Sequence, residues 1–560
     1  MISLWTPPPP PPPTPWGPIL VANRGEIAVR IITAAHTLGL PAIAVYVAAD
    51  ADSGHVTAAD TAVCLGDDAG AYTDVAALVA AGTSAGAVAV HPGYGFVAED
   101  AGAADAFEAA GIAWVGPTPS TIRVFGSKHG ARAEAVAAGV PVLPASGLVA
   151  DAAAAADAAD ALGYPVLLKA TAGGGGMGQS PAASRAGVAA AFASAASAGA
   201  SLFGDGRLYV EKLVGAARHV EVQVFGDGAG GVVSLGDRDC SVQRRRQKVV
   251  EEAPAPALSA ATRARMAAAA VALTARGAYR SAGTVEFLVD AASSAFYFLE
   301  VNTRIQVEAG VTEAVTGVDL VAGMLRLARG DPASDWFPAL ASAAVADGAD
   351  PPTADGPVTT VPTAGAAVEA RVYAESPLHG YRPSPGTLTA MVWPPPSPTL
   401  RVDTWASTGC TVSGAFDPLL GKLIASGPTR AAALATLADA LSATVVRGVA
   451  SNLELLSAVV ANEAFAAGEY TTALLDGVTP KACAVEVLAP GVQSSLQDHP
   501  GRVGLWRVGV SPSGALDAHA MVAANGLLGN EPGAVAMEMT VRGPTLKVHT
   551  QTTVVCRARG

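Results

Sequence analysis

From Ile19 the chain reads strand, tight turn, helix, strand: ILVAN, then RGE, then IAVRIITAAHTLG closing on Gly39, then AIAVYV. The short apolar segments AVAVHP and AWVGP continue the series. Strands separated by helical stretches cannot pair as hairpins, so they are predicted to lie parallel in one sheet with the helices as crossovers. This opening α/β unit is predicted over 18–130. What precedes it is different in kind. Residues 7–13 are all proline, without an amide hydrogen to donate, and 1–17 is expected to be an extended, disordered polyproline tail outside the fold. It has the character of neither a signal peptide nor a transit peptide.

A second unit is expected over 131–331. It opens with the strand-like YPVLLKA and a glycine loop, continues through RLYVEKLV and HVEVQVFGD, and ends with TVEFLVD and FYFLEVN. Residues 332–365 are rich in Ala, Pro, Asp and Thr without apolar periodicity and are read as a linker or surface insertion. A third, α+β unit is expected over 366–476, with the strand VEARVYA and the helix TRAAALATLADALSATV. A short β-rich piece over 484–560 closes the chain.

Charge narrows the function. With 35 Lys and Arg against 48 Asp and Glu, the net charge of −13 opposes a nucleic-acid footprint, although Arg244, Arg245 and Arg246 are consecutive. The mean hydropathy of +0.37 reflects alanine rather than Leu, Ile or Phe. The two uncharged stretches, 75–98 and 186–204, are broken by Gly, Ser, Thr, His and Pro, so no membrane span is expected. Five scattered cysteines without CxxC spacing suggest neither a disulfide framework nor a zinc site, and a reducing, cytoplasmic setting fits.

Three clusters carry chemistry. Gly173-Gly174-Gly175-Gly176-Met177-Gly178 follows a strand that contains Lys169. Glycines let backbone amides approach a polyphosphate and the lysine adds a point charge, yet alone the loop could equally be a hairpin tip. It is neither a GK[ST] phosphate loop nor a GxGxxG dinucleotide loop. Glu286 and Glu300, on neighbouring strand patterns and followed by Asn302, supply the hard oxygen donors that nucleotide-bound Mg²⁺ requires; exposed edge carboxylates are the plainer alternative. Their apolar neighbours favour burial with a metal. In VNTRIQVE, alternate spacing predicts Arg304, Gln306 and Glu308 on one face of an extended strand, able to hold an anion and take its proton. Lys248 and Gln243 share the stretch RDCSVQRRRQKVVEEAPAP with the three arginines, which reads as nucleotide and anion contacts.

Together these residues resemble the biotin carboxylase component of biotin-dependent carboxylases, an ATP-grasp family. The similarity runs in order through ILVANRGEIAVRII, HPGYGF, FGSKHGAR, YPVLLKATAGGGGMG, RHVEVQVFGD, RDCSVQ…QKVVEEAPAP, VEFLVD, FLEVNTRIQVE, and VEARVYAE with RPSPG, over about residues 18–476. It implies a Rossmann-like first domain, an ATP-grasp domain with a mobile lid, and an α+β C-terminal domain. Lys128, Lys169 and the loop with Gly174, Gly175 and Gly176 are implied to bind ATP phosphates. Glu211, Lys212 and Leu213 are implied at the adenine, with His219 and Gln243 near the nucleoside. Glu286, Glu300 and Asn302 are implied to hold Mg²⁺ (or Mn²⁺). Lys248, Arg304, Gln306 and Val307 are implied to position bicarbonate, Glu308 to deprotonate it, and Arg371 to stabilise the biotin enolate.

The tail from Val485, VEVLAPGVQSSLQDHPGRVGLWRVGVSPSGALDAHAMVAANGLLGNEPGAVAMEMTVRGPTLKV, resembles the start of the carboxyltransferase domain of urea carboxylases. This implies a ligase making carboxybiotin as the first half of urea carboxylation to allophanate. No Met-Lys-Met attachment site occurs, so the biotin is expected on a carrier supplied in trans, and the chain reads as truncated, with urea turnover depending on the missing carboxyltransferase part. A homodimer is also implied. Three positions depart from the family: Ala309 and Ala366 or Ala367 stand where histidines are usual, and Arg246 where His or Asn is common. A biotin carboxylase subunit of an acyl-CoA or pyruvate carboxylase is the nearest alternative, and a non-catalytic ATP-binding remnant is the alternative of another class.

Overall fold

The ILV segment forms the strand Ile19–Val21, without solvent contact at the centre of a five-stranded parallel sheet. The strand order is Thr61–Cys64, Ala42–Tyr46, Ile19–Val21, Ala89–His91, Ala113–Trp114, as crossover connections require. The computed structural model describes residues 16–171, 178–343, 352–480, 485–548 and 553–556. The first helix, Gly25–Thr37, starts on a glycine at φ +68° and is followed by Gly39 at φ +70°, both left-handed positions that glycine adopts without strain. It buries Ile27, Ile31 and Ile32, each stabilising by roughly 1.5–3 kcal/mol. Its first turn carries the buried Glu26.

An eight-stranded sheet forms the frame of the site. Its order is Phe296–Asn302, Arg280–Asp290, Ala217–Asp227, Val232–Arg244, Gln247–Ala253, Ala366–Tyr373, Leu419–Gly427, Leu400–Thr404, antiparallel throughout. Strands from the second and third expected units therefore share one sheet, joined where Gln247–Ala253 pairs with Ala366–Tyr373. A four-stranded sheet, ordered Ala145–Val149, Leu208–Lys212, Val166–Ala170, Gln179–Ala182, packs on the helices Ala152–Leu162 and Arg185–Phe203. Residues 172–177 lie outside the described residues, and with them the expectations for Gly174, Gly175, Gly176 and a lid. The same holds for 1–15 of the proline tail.

Two expectations are corrected. Residues 332–365 are not merely a surface linker. Two short helices, Ala333–Trp336 and Pro338–Ser342, bury Phe337 and Leu340, and Trp336 meets Phe225 edge-on, with ring centroids 5.9 Å apart. Farther along, the Val361 amide donates to the Ser234 carbonyl at 2.8 Å. The anchors are spaced too irregularly to register as periodicity. Trp16, assigned to the tail, packs partly buried against the first core.

The described residues divide into two compact units, up to Thr479 and from Pro480. The second contains two antiparallel strand pairs, Val485–Ala489 with Thr545–Val548 and Gln493–Gln497 with Ala536–Thr540. Its helix Ala518–Leu527 is capped by Asp517, whose carboxylate accepts from the Ala520 amide at 3.0 Å. Among the described residues no helix is long and apolar enough to cross a membrane.

Candidate active site

A cleft of about 1270 Å³ opens over the eight-stranded sheet. Its floor follows from strand alternation: on Ala217–Asp227 the pattern HVEVQ turns His219 and Glu221 to one face, and register places Glu221 opposite Glu286, and Glu286 opposite Glu300. Three carboxylates thus lie side by side on neighbouring strands. Lys248, paired across the adjacent hairpin with Gln243, sends its ammonium to the first two of them and to Glu308. It donates to Glu221 Oε2 at 2.6 Å, Glu286 Oε1 at 2.9 Å and Glu308 Oε1 at 2.6 Å. Burial works against this charge, but the three carboxylates hold the Lys248 pKa well above its ordinary value.

Glu308 is fully buried and is gripped from the other side by Arg371, whose Nη2 lies 2.9 Å from Oε2. Burial alone would raise the Glu308 pKa; Lys248, Arg371 and Arg238 instead hold it well below the usual carboxylate range. Arg371 Nη2 also lies 2.5 Å from Glu251 Oε1, while its buried Nε has no hydrogen-bond partner among the described residues.

The segment after Asn302 is not the extended strand expected. The strand stops at Asn302 and the chain turns, so that Glu308 sits at the N-cap of the helix Ala309–Thr316. Arg304, Gln306, Val307 and Glu308 nevertheless all line the cleft. Arg304 is held by Glu99, 3.0 Å from its Nε, and donates to Gln306 Oε1 at 3.1 Å and Asn302 Oδ1 at 3.2 Å.

At the other end, Lys128 stands at the start of the helix Lys128–Ala137 with no hydrogen bond or ion pair among the described residues. Lys169 is paired with Glu211 at 2.7 Å across the strands Val166–Ala170 and Leu208–Lys212. The Lys212 ammonium is tied to the Gly163 and Tyr164 carbonyls, and the Leu213 amide to the Pro165 carbonyl. His219 Nδ1 lies 3.4 Å from Gln243 Nε2, and its Nε2 lies 2.9 Å from Glu286. Burial opposes the imidazolium, yet Glu286 holds the His219 pKa above its ordinary value.

Glu286, Glu300 and Asn302 suit a hard cation. Glu300 makes no hydrogen bond or ion pair among the described residues, and burial, then the Glu286 charge, raises its pKa. Glu300 is thus a hard oxygen donor short of positive charge, beside Glu286, to which the Asn302 side chain is bonded at 2.9 Å. Two other triads come close together, His219–Glu221–Glu286 and Glu221–Cys240–Glu308. Lys248 already bridges both, which makes them a cation site filled by the protein itself. Sequence reading missed Glu221, Glu251 and Glu99. The alternation of HVEVQ was the available signal for Glu221, whereas Glu99 and Glu251 depend on long-range packing.

Four family models match the chain. They are described as biotin carboxylase, N-terminal domain (16–122); carbamoyl-phosphate synthase L chain, ATP binding domain (127–335); biotin carboxylase C-terminal domain (369–477); and carboxyltransferase domain, subdomain A and B (508–558). A biotin carboxylase of Nostoc sp. is 40% identical over 460 residues, covering 82% of this chain and 98% of that protein. The chain belongs to the biotin carboxylase family. Within this family of ATP-dependent ligases, the urea amidolyase of Lachancea kluyveri is 44% identical over 542 residues, 96% of this chain and 28% of that protein. The crystal structure of the Kluyveromyces lactis urea carboxylase superposes with a TM-score of 0.73 at 38% identity, covering 96% of this chain and 39% of that one. The chain thus spans less than half the length of these urea-enzyme relatives.

Proposed function

We propose that this biotin carboxylase carries out the ATP- and bicarbonate-dependent carboxylation of biotin that opens urea carboxylation. One observation carries the chemistry: a buried carboxylate, Glu308, clamped between Lys248 and Arg371 in the same cleft as Lys128 and the Glu286–Glu300 pair. The urea assignment rests on the tail: the urea amidolyase match covers 96% of the chain, whereas the Nostoc biotin carboxylase match covers 82%.

Bicarbonate, an anion, enters where Arg304, Lys248 and Gln306 converge beside Val307. As it engages Lys248, the ammonium charge held against Glu308 is shared with the bicarbonate and the carboxylate gains basicity. Glu308 takes the bicarbonate proton while the freed oxygen attacks the γ-phosphorus of ATP, releasing ADP and leaving carboxyphosphate. Lys128 and Lys169 hold the phosphates, with Lys169 exchanging Glu211 for them. Glu211, Lys212 and Leu213 border the adenine, and His219 with Gln243 the nucleoside. Glu286, Glu300 and Asn302 would hold Mg²⁺, which when bound neutralises phosphate charge. Carboxyphosphate breaks to CO₂ and phosphate, the phosphate being the nearest base for the biotin N1′ proton. Arg371, permanently charged and with a free Nε, stabilises the enolate oxygen while N1′ attacks CO₂. Carrier-borne biotin and a second copy of the chain are the partners this reading implies.

Glu308→Gln and Arg371→Ala test it. Both are expected to abolish carboxylation of free biotin while nucleotide affinity stays within a few-fold of the parent. Undiminished carboxylation in either variant overturns the assigned roles.

A further inference from the structure

The strand Leu419–Gly427, LLGKLIASG, is apolar along its central run except for one lysine. Lys422 is 3% exposed, and a buried ammonium is costly unless it is compensated. Three distant segments compensate it. Its Nζ donates to the Val307 carbonyl at 2.7 Å and lies 3.2 Å from Glu26 Oε1 and 3.7 Å from Asp403 Oδ2. In register it stands between Arg371 on one neighbouring strand and Asp403 on the other. Glu26, in the first turn of the first helix, also accepts from the Tyr94 hydroxyl. The ANRGE and TRIQVE segments therefore meet at one nitrogen, with HPGYGF joined to it through Glu26, on a strand that none of those motifs includes.

We infer that Lys422 is a positioning residue for bicarbonate activation, fixing the Val307–Glu308 turn through the Val307 carbonyl. The inference rests on the reading of Glu308 as the base. The Glu308 carboxylate is clamped by Lys248 and Arg371, but these hold only its side chain. The backbone of the turn sits between the end of the strand Phe296–Asn302 and the helix Ala309–Thr316, and the lysine ties it to the sheet. Without that tie the carboxylate keeps its charge partners and loses its registration against a bound bicarbonate. A small misplacement of a reacting group is enough to cost a large factor in rate.

The test compares Lys422→Met, Lys422→Gln and Glu26→Gln in the full chain, assayed for ATP turnover against bicarbonate with free biotin, at a temperature where circular dichroism shows each folded. Glu26→Gln removes an ion-pair partner of the lysine but leaves its bond to Val307. The Lys422 variants are expected to raise KM for bicarbonate at least tenfold with nucleotide Kd within twofold, and Glu26→Gln to lower Tm with KM for bicarbonate within twofold. Parental KM for bicarbonate in the Lys422 variants overturns the inference, as does an equal rise in all three variants or a parallel loss of nucleotide binding. If the parent chain shows no bicarbonate dependence, the assignment of Glu308 fails first and this inference with it.

Discussion

Glu251 and Glu369 face each other across the antiparallel strands Gln247–Ala253 and Ala366–Tyr373, both wholly buried, Glu251 beside Arg371 and Glu369 with no hydrogen bond to its carboxylate among the described residues. Burial drives both upward. Glu251, eased by Arg371 but opposed by Glu308, is pushed up to about 7, and Glu369 rises well above the carboxylate range. A carboxyl whose pKa is raised on folding binds its proton more tightly in the folded chain, so its stabilisation is present at low pH and is lost as pH climbs through the folded value.

For Glu251 that window runs from the ordinary carboxylate value to about 7. The buried His91 and His55, pushed down to about 3 and about 4, act with the opposite sign below neutrality, so the difference between variants is the informative quantity. Glu251→Gln is expected to match the parent's Tm near pH 5, to exceed it increasingly up to about pH 7, and to keep a level advantage above that. Parallel Tm curves across that range would contradict the buried, shifted carboxyl.

Lys248 neutralises three carboxylates at once. Removing one member of a buried ion cluster typically costs about 3–5 kcal/mol, because the charges left behind have no partner. Lys248→Met is expected to lower urea-denaturation stability by about that amount and to abolish bicarbonate-dependent turnover. Adding Glu221→Gln to it should recover part of the stability and none of the turnover.

Arg245 and Arg246 form the two-residue turn between the strands Val232–Arg244 and Gln247–Ala253, at φ +50° and +71°. Such a turn ordinarily takes Asn or Gly, and an L side chain held left-handed costs roughly 1–2 kcal/mol. Arg246 lines the cleft with Lys128, whose pKa is depressed by burial first, then by Lys169 and, least, by Arg246. Arg246→Asn should therefore stabilise the chain by up to about 1 kcal/mol and weaken nucleotide binding severalfold, read by thermal denaturation and by titration with a fluorescent nucleotide. Stabilisation without any loss of affinity would show that the arginine does not meet the nucleotide.

The parallel opening sheet was legible because each of its elements is local: apolar strands, a helix start at Gly25 and a stop at Gly39. So was the pairing of Glu286 with Glu300, which alternation on two adjacent strand patterns specifies. The turn through 303–308 was not, because VNTRIQVE alternates like a strand and what stops it is tertiary: Glu99 holding Arg304 and Lys422 holding Val307. The single sheet spanning 217–427 was equally hidden, since nothing local in VEARVYA says that its neighbour is QKVVEEA.

The most direct measurement is ATP hydrolysis by the purified chain with Mg²⁺, with and without bicarbonate and a high concentration of free biotin. The expected result is bicarbonate-dependent turnover that free biotin stimulates and Glu308→Gln abolishes. A folded chain that binds ATP yet shows no turnover, or turns it over without regard to bicarbonate, would contradict the assignment of this cleft to biotin carboxylation.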